Sequence, residues 1–261
     1  MIKRMIDLHM HILPGLDDGA RTLQDALDMA RISCDSGVGA AVASSHFDAD
    51  LCDPHQYLYH YSEIFTQFRR KLAQYKIPLK IFSGMELMVN DSLLRYAENH
   101  TLPGIRGGRI LLVEFDFGIG RQSALNSLTQ LLDMGYGLIL AHPERYDFTR
   151  NRPWVLKEFS DLGILLQVNK GSLFHEFGRH AFDTAEWLLR RGMADAVGSD
   201  AHDPVLRTPD MSEVEDLLDL RYGYDASSIL LEANPREILN ADWIHDRSHG
   251  IMGNSPDLPQ G

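Results

Sequence analysis

Short apolar runs in this chain repeatedly stop at a histidine, a glutamate or an aspartate, and this punctuation constrains the fold more than any other feature. Ala40-Ala41-Val42-Ala43-Ser44-Ser45 leads into His46, and Leu79 to Met85 leads into Glu86. Ile110 to Val113 leads into Glu114, Gly137 to Ala141 into His142, and Ala194 to Ser199 into Asp200, with His202 two positions on. Such runs, separated by longer amphipathic stretches, read as parallel strands alternating with helices. In that architecture the carboxyl ends of the strands meet at one face, where functional residues collect. The chain also opens on Asp7-Leu8-His9-Met10-His11. Residues i and i+2 of a strand share a face, so His9 and His11 can converge on one point. A bare His-x-His is most often incidental, but ligand types after successive strand ends are not.

The intervening stretches carry helix signals. Thr22 to Ser36 reads as an amphipathic helix with Thr22 as cap, Asp25 in its first turn and Gly37 as terminator. Pro54 to Tyr75, Arg121 to Met134 and Phe182 to Arg191 read as further helices. His55 and His60 fall on the second of these, five apart and off the i, i+4 spacing that would pair them. The aromatics Tyr57, Tyr59, Tyr61, Phe65 and Phe68 on the same helix read as packing. His175 and His180 flank Gly178 in an expected loop. No repeat or low-complexity segment appears, so residues 1–240 are expected to form a single domain. Residues 241–261, rich in Asp, Asn, Ser, Gly and Pro and including His245 and His249, are expected to be a flexible tail.

Composition narrows the function classes. Lys and Arg number 25 against 37 Asp and Glu, a formal net charge of −12. That balance disfavours a nucleic-acid surface, which needs clustered cations. Cys34 and Cys52 have no metal-type or C-x-x-C spacing, and neither sits in a phosphate-binding loop. No run approaches the ~20 apolar residues of a membrane span, and Met1 to Ile6 lacks a signal-peptide core, so no membrane insertion and a cytoplasmic location are expected.

After His11 come Asp17-Asp18-Gly19, which add hard oxygen donors to the imidazoles. Spacing alone does not separate the two aspartates. Mixed nitrogen and oxygen donors suit Mn²⁺, Fe²⁺ or Zn²⁺ better than ions held by oxygen alone. Arg145 and Arg207 stand in loops after ligand-bearing strand ends, where a guanidinium fork can grip two phosphate oxygens. Most arginines are simply solvated, but charged residues in strand-end loops of such barrels tend to serve the site.

The set Asp7-x-His9-x-His11, His46, Glu86, Glu114, His142-Pro143-Glu144-Arg145 and Gly198-Ser199-Asp200-Ala201-His202 resembles the polymerase-and-histidinol-phosphatase (PHP) superfamily of metal-dependent phosphoesterases. Within it, His9 to Gly19 and Ala141 to Tyr146 are similar to bacterial capsule and exopolysaccharide-locus tyrosine phosphatases. The resemblance runs from about residue 5 to about residue 240. It implies an α/β fold, a distorted TIM-like (β/α)7 barrel, and two or three divalent ions, manganese foremost, with iron or zinc as alternatives. By resemblance, His9, His11, Glu86 and Asp200 hold one ion, and Glu86 bridges to a second held by Glu114 and His142. Asp18, His46 and His202 hold or border a third, and His46 and His202 join Arg145 and Arg207 as candidates for catalysis. The chain departs from many of those phosphatases right after His46, where Phe47 and Asp48 replace a basic or second histidine-like residue.

The implied reaction is hydrolysis of phosphotyrosine by a metal-bound hydroxide, on the tyrosine-rich tail of a bacterial tyrosine autokinase that controls polysaccharide export. An alternative within the superfamily is a small phosphate monoester such as histidinol phosphate or a nucleotide. An alternative of another class is a non-catalytic metal-binding scaffold, against which the full ligand set speaks.

Overall fold

The computed structural model describes residues 5–223 and 225–240. Its strands are β1 (Met5–Met10), β2 (Val38–Phe47), β3 (Lys80–Met88), β4 (Ile110–Glu114), β5 (Gly137–Ala141), β6 (Leu165–Asn169) and β7 (Ala196–Gly198). The helices between them are α1 (Leu23–Asp35), α2 (Pro54–Gln74), α3 (Asp91–Ala97), α4 (Arg121–Asp133), α5 (Leu156–Asp161), α6 (Lys170–Leu173) and α7 (Gly178–Arg190), with α8 (Ser212–Tyr222) after β7. Spatial order equals chain order and every neighbouring pair is parallel. The ring closes just past β7, where Asp200 N–H donates to the His9 carbonyl and His11 N–H to the Ala201 carbonyl, both at 2.9 Å. The result is the expected seven-stranded parallel barrel.

Side-chain alternation sorts the strands into two apolar layers. Ala41, Ala43, Met85, Leu87, Leu111, Val113, Leu138 and Leu140 face the helices. Val42, Ile110, Leu112, Ile139, Leu165 and Ala196 fill the interior with Ile6 and Leu8, joined by Ile105, Ile238 and Leu239. Period two then places His46 beyond Val42, Glu114 beyond Leu112 and Gln167 beyond Leu165 on the same inward face. The polar layer is thus the continuation of the apolar interior. β1 breaks the rule: its register shifts between Asp7 and Met10, so Ile6 and Leu8 point inward and yet His9 reaches the polar layer. Asp7 holds this irregularity by accepting from the N–H of His9 and of Ser199, each at 3.1 Å.

The helices obey their sequence signals closely. Thr22 and Asp25 form the capping box of α1, and Cys34 is buried on its inner face. Asp53 caps α2, with Pro54 in its first turn. On α2, Tyr61 donates to the Ala43 carbonyl at 2.9 Å and Tyr57 to that of His46, anchoring β2. Tyr59 departs from the packing expectation and is 67% exposed. A second departure concerns α7, which begins one turn before Phe182. Gly178 opens the helix instead of breaking it, so His180 is helical, while His175 stacks on Phe182 at 3.7 Å between ring centroids. The expected tail, with His245 and His249, lies outside the described residues.

Candidate metal centre

Every histidine and carboxylate proposed from the sequence as a ligand meets at the carboxyl end of the barrel. His9 and His11 bring their Nε2 atoms to 3.2 Å from each other. Glu86 Oε2 lies 3.1 and 3.2 Å from these two atoms, and Asp200 Oδ1 lies 3.4 and 3.6 Å from them. His46 Nδ1 sits 3.2 Å from Glu86 Oε2 and 2.8 Å from Glu114 Oε1. His142 Nε2 is 2.8 Å from Glu86 Oε1 and 3.7 Å from Glu114 Oε2. On the open side, Asp18 Oδ1 lies 3.5 Å from His46 Nε2 and 3.3 Å from His202 Nε2. Three overlapping groups result: His9, His11, Glu86 and Asp200; His46, Glu86 and Glu114; and His11, Asp18, His46 and His202. His46 therefore stands in two groups, where the resemblance placed it in one.

The geometry also separates the adjacent aspartates. Asp17 faces away from the cluster, its Oδ2 2.9 Å from His11 Nδ1 and accepting from the N–H of His46, its Oδ1 accepting from Gly19 N–H. Asp18 alone of the pair reaches the imidazoles of His46 and His202. A Cβ on Gly19 would lie 2.2 Å from the His11 carbonyl, so only glycine lets this loop close over His11.

The donor set fits a divalent cation. Gln167 donates its Nε2–H to the Val168 carbonyl, which leaves Oε1 to accept from His9 Nδ1 at 2.8 Å. Asp17 does the same for His11, so the outer nitrogens carry the protons and both Nε2 lone pairs face one point. Two lone pairs 3.2 Å apart repel unless a cation lies between them. Glu86 Oε2, fully buried and without a hydrogen-bond partner, points to the same place. In the metal-free protein a proton takes the cation's part. Burial opposes protonation of His9, but Glu86 and Asp200 outweigh it and raise its pKa to about 9. Burial likewise works against Glu86 ionising, and the facing histidines hold it well below the usual carboxylate range. Burial opposes ionisation of Asp17 too, yet the His11 hydrogen bond brings it down to about 2. His142 and Asp200 adopt left-handed backbone at φ 36° and 50°, a conformation costly for non-glycine residues and concentrated at functional sites.

Arg145 and Arg207 both reach Asp200 Oδ2, at 3.4 and 2.5 Å, on the far side of the carboxylate from His9 and His11. Arg145 is sandwiched between Phe117 and Phe177, 4.4 and 4.1 Å from the ring centres. The two arginines, Phe117, Asp48 and Leu51 line a cavity of about 370 Å³ that opens onto the cluster. His55 and His60 lie elsewhere, on α2, His55 against the rings of Tyr96 and His100.

A family model for capsular polysaccharide synthesis, CpsB/CapC, matches residues 5–240. The chain belongs to the CpsB/CapC family. It is 28% identical over 241 residues to the tyrosine-protein phosphatase CpsB of Streptococcus pneumoniae, covering 90% of this chain and 98% of that relative. It is also 28% identical over 228 residues to the tyrosine-protein phosphatase YwqE of Bacillus subtilis, covering 87% and 89%. A crystal structure from work on YwqE and CpsB, described as unique metal-dependent tyrosine phosphatases, superposes with a TM-score of 0.81 at 27% identity, over 90% of this chain and 94% of that one. A phosphotriesterase homology protein from Escherichia coli shares the fold alone, at 12% identity and a TM-score of 0.58.

Asp17, Gln167 and Phe117 are the residues that reading the sequence did not place in these roles. Gln167 left a trace, a lone amide in the run Leu165 to Val168. Phe117 left none, because nothing local distinguishes an aromatic at a site mouth from one in a core.

Proposed function

We propose that this protein is a metal-dependent protein-tyrosine phosphatase, acting in the cytoplasm on the tyrosine-rich tail of a tyrosine autokinase that controls polysaccharide export. The observation that carries the reading is the division of Asp200, one oxygen toward a mixed histidine and carboxylate cluster and the other toward two arginines. His9, His11, Glu86 and Asp200 would hold one ion. Glu86, Glu114, His142 and His46 would hold a second, and His11, Asp18, His46 and His202 a third, with manganese the expected metal. When bound, divalent ions supply an activated water, neutralisation of the phosphate and stabilisation of the leaving oxygen.

The chain's own groups supply the rest. Arg145 and Arg207 turn from Asp200 to the incoming phosphate, each offering a forked pair of donors. The rings on either side of Arg145 restrict its motion and so lower the entropy lost on binding. His202 Nδ1 donates to the Asp200 carbonyl at 3.0 Å, which turns its Nε2 toward Asp18 at the open edge of the site. Phe117 offers an apolar wall to an aromatic leaving group. A phenol, with a pKa of ~10, departs more readily than an aliphatic alcohol, which favours phosphotyrosine over phosphoserine in a site with modest acid assistance.

The deciding experiment compares kcat/KM of the manganese-loaded protein on a phosphotyrosine peptide, the matching phosphoserine peptide and histidinol phosphate. Phosphotyrosine is expected to lead. Faster turnover of histidinol phosphate would transfer the reading to small phosphate monoesters, and no turnover of any ester would return it to a metal-binding scaffold.

A further inference from the structure

A second cavity, also of about 370 Å³, adjoins the first and shares Phe117 and Arg145 with it as common wall. Beyond that wall it is lined by Arg150, Arg179, His180 and Glu144, among others. In a chain of formal net charge −12, Arg145, Arg150 and Arg179 bring three guanidinium groups to this one cavity. Asp147 is the exposed carboxylate among the lining residues. Glu144 is 2% exposed, its Oε1 accepting from the Ser172 hydroxyl and the Asn169 N–H, its Oε2 buried and without a partner.

The placement of Arg179 is locally unfavourable. It occupies the first turn of α7, which contains no acidic residue and has no side-chain cap. The helix macrodipole puts partial positive charge there, so the guanidinium on that turn is repelled by it. Arg150 and Arg179 have compensating ion pairs with Asp147 at 3.2 Å and Asp183 at 3.4 Å, but all four side chains are more than half exposed. Pairs of that kind contribute little and exchange easily. Violations of local preference concentrate at functional sites, and an anion bound in this cavity would recover the cost.

We propose that this cavity is a subsite for an anionic group, a carboxylate or a second phosphate, on a residue close in sequence to the phosphotyrosine of a peptide substrate. The proposal rests on the phosphatase reading above. The shared wall places the two groups on one continuous peptide: phosphotyrosine enters beside Phe117 and Arg145, and the neighbouring side chain crosses to Arg150 and Arg179.

The test measures kcat/KM of the manganese-loaded protein on phosphotyrosine peptides whose flanking residues are glutamate, a second phosphotyrosine, glutamine or lysine, beside p-nitrophenyl phosphate. Glutamate flanks are expected to exceed glutamine flanks by roughly two- to fivefold, and lysine flanks to fall below both. A larger gain with the second phosphotyrosine than with glutamate assigns the subsite to phosphate, and the reverse assigns it to carboxylate. In the double variant Arg150→Glu, Arg179→Glu, both side chains being exposed, the order of glutamate and lysine peptides should invert. Equal rates on all flanks, or a preference that survives the charge reversal, would overturn the subsite and leave the phosphatase reading standing. Absence of turnover on every peptide and on p-nitrophenyl phosphate would overturn both.

Discussion

Arg207 holds its guanidinium 2.5 Å from Asp200 Oδ2, while Oδ1 of the same carboxylate lies 3.4 Å from His9 Nε2. One side chain therefore faces the proposed metal and the proposed phosphate grip together. Removing the arginine leaves Asp200 its contacts with the histidines. Arg207→Ala is expected to retain metal by elemental analysis but to lose about 10²- to 10³-fold in kcat on a phosphotyrosine peptide, the usual effect of deleting one preorganised donor. Arg207→Lys should recover little, because an ammonium lacks the fork. Loss of metal in Arg207→Ala would assign the arginine a structural role instead.

Gln167 is expected to matter for metal without touching it. Its Oε1 fixes the proton of His9 on Nδ1 and turns Nε2 to the cluster. Gln167→Ala should weaken metal affinity about 10- to 100-fold, visible by titration with a competing chelator. Unchanged affinity would mean that the barrel wall alone orients His9.

Metal binding should release protons. In the metal-free protein the raised pKa of His9, about 9, leaves it charged at neutral pH, whereas a ligand must be neutral. Calorimetry at pH 7 in buffers of different ionisation enthalpy should show net proton release, with apparent affinity rising as pH approaches 9. The stability of the metal-free protein should run the other way. A pKa raised above 6.5 gives a contribution fully present below that value and lost as pH rises through about 9. A melting temperature of the chelated protein that climbs steadily from about pH 7 to about pH 9 would contradict this assignment.

Cysteine chemistry is not expected in the reaction. Cys34 is buried on α1 and Cys52 Sγ donates to the Asp48 carbonyl at 3.1 Å. Substituting both by serine should leave kcat on phosphotyrosine within about twofold, with any loss of thermal stability traceable to the buried Cys34. A folded, metal-loaded double variant without activity would overturn the metal-dependent reading.

The sequence by itself carried the alternation of parallel strands and helices and the inventory of their polar ends, and the family resemblance carried the closed barrel. Period two in the strands and 3.6 in the helices are local properties, and caps such as Thr22 and Asp53 act within a few residues of themselves. His46, Glu86, Glu114, His142 and Asp200 were legible because each ends an apolar run, and alternation assigns such a residue to a face before any partner is known. Three things were decided by tertiary structure. Asp17 and Asp18 are neighbours with the same chemistry, and the turn closed by Gly19 sends one behind His11 and the other to His46 and His202. Gln167 becomes the partner of His9 because closure of the ring brings β1 across from β6, 158 residues away. Arg145 acquires its two aromatic neighbours from separate loops, Phe117 after β4 and Phe177 before α7. Such pairings depend on where the chain returns in space, and no local spacing encodes that distance.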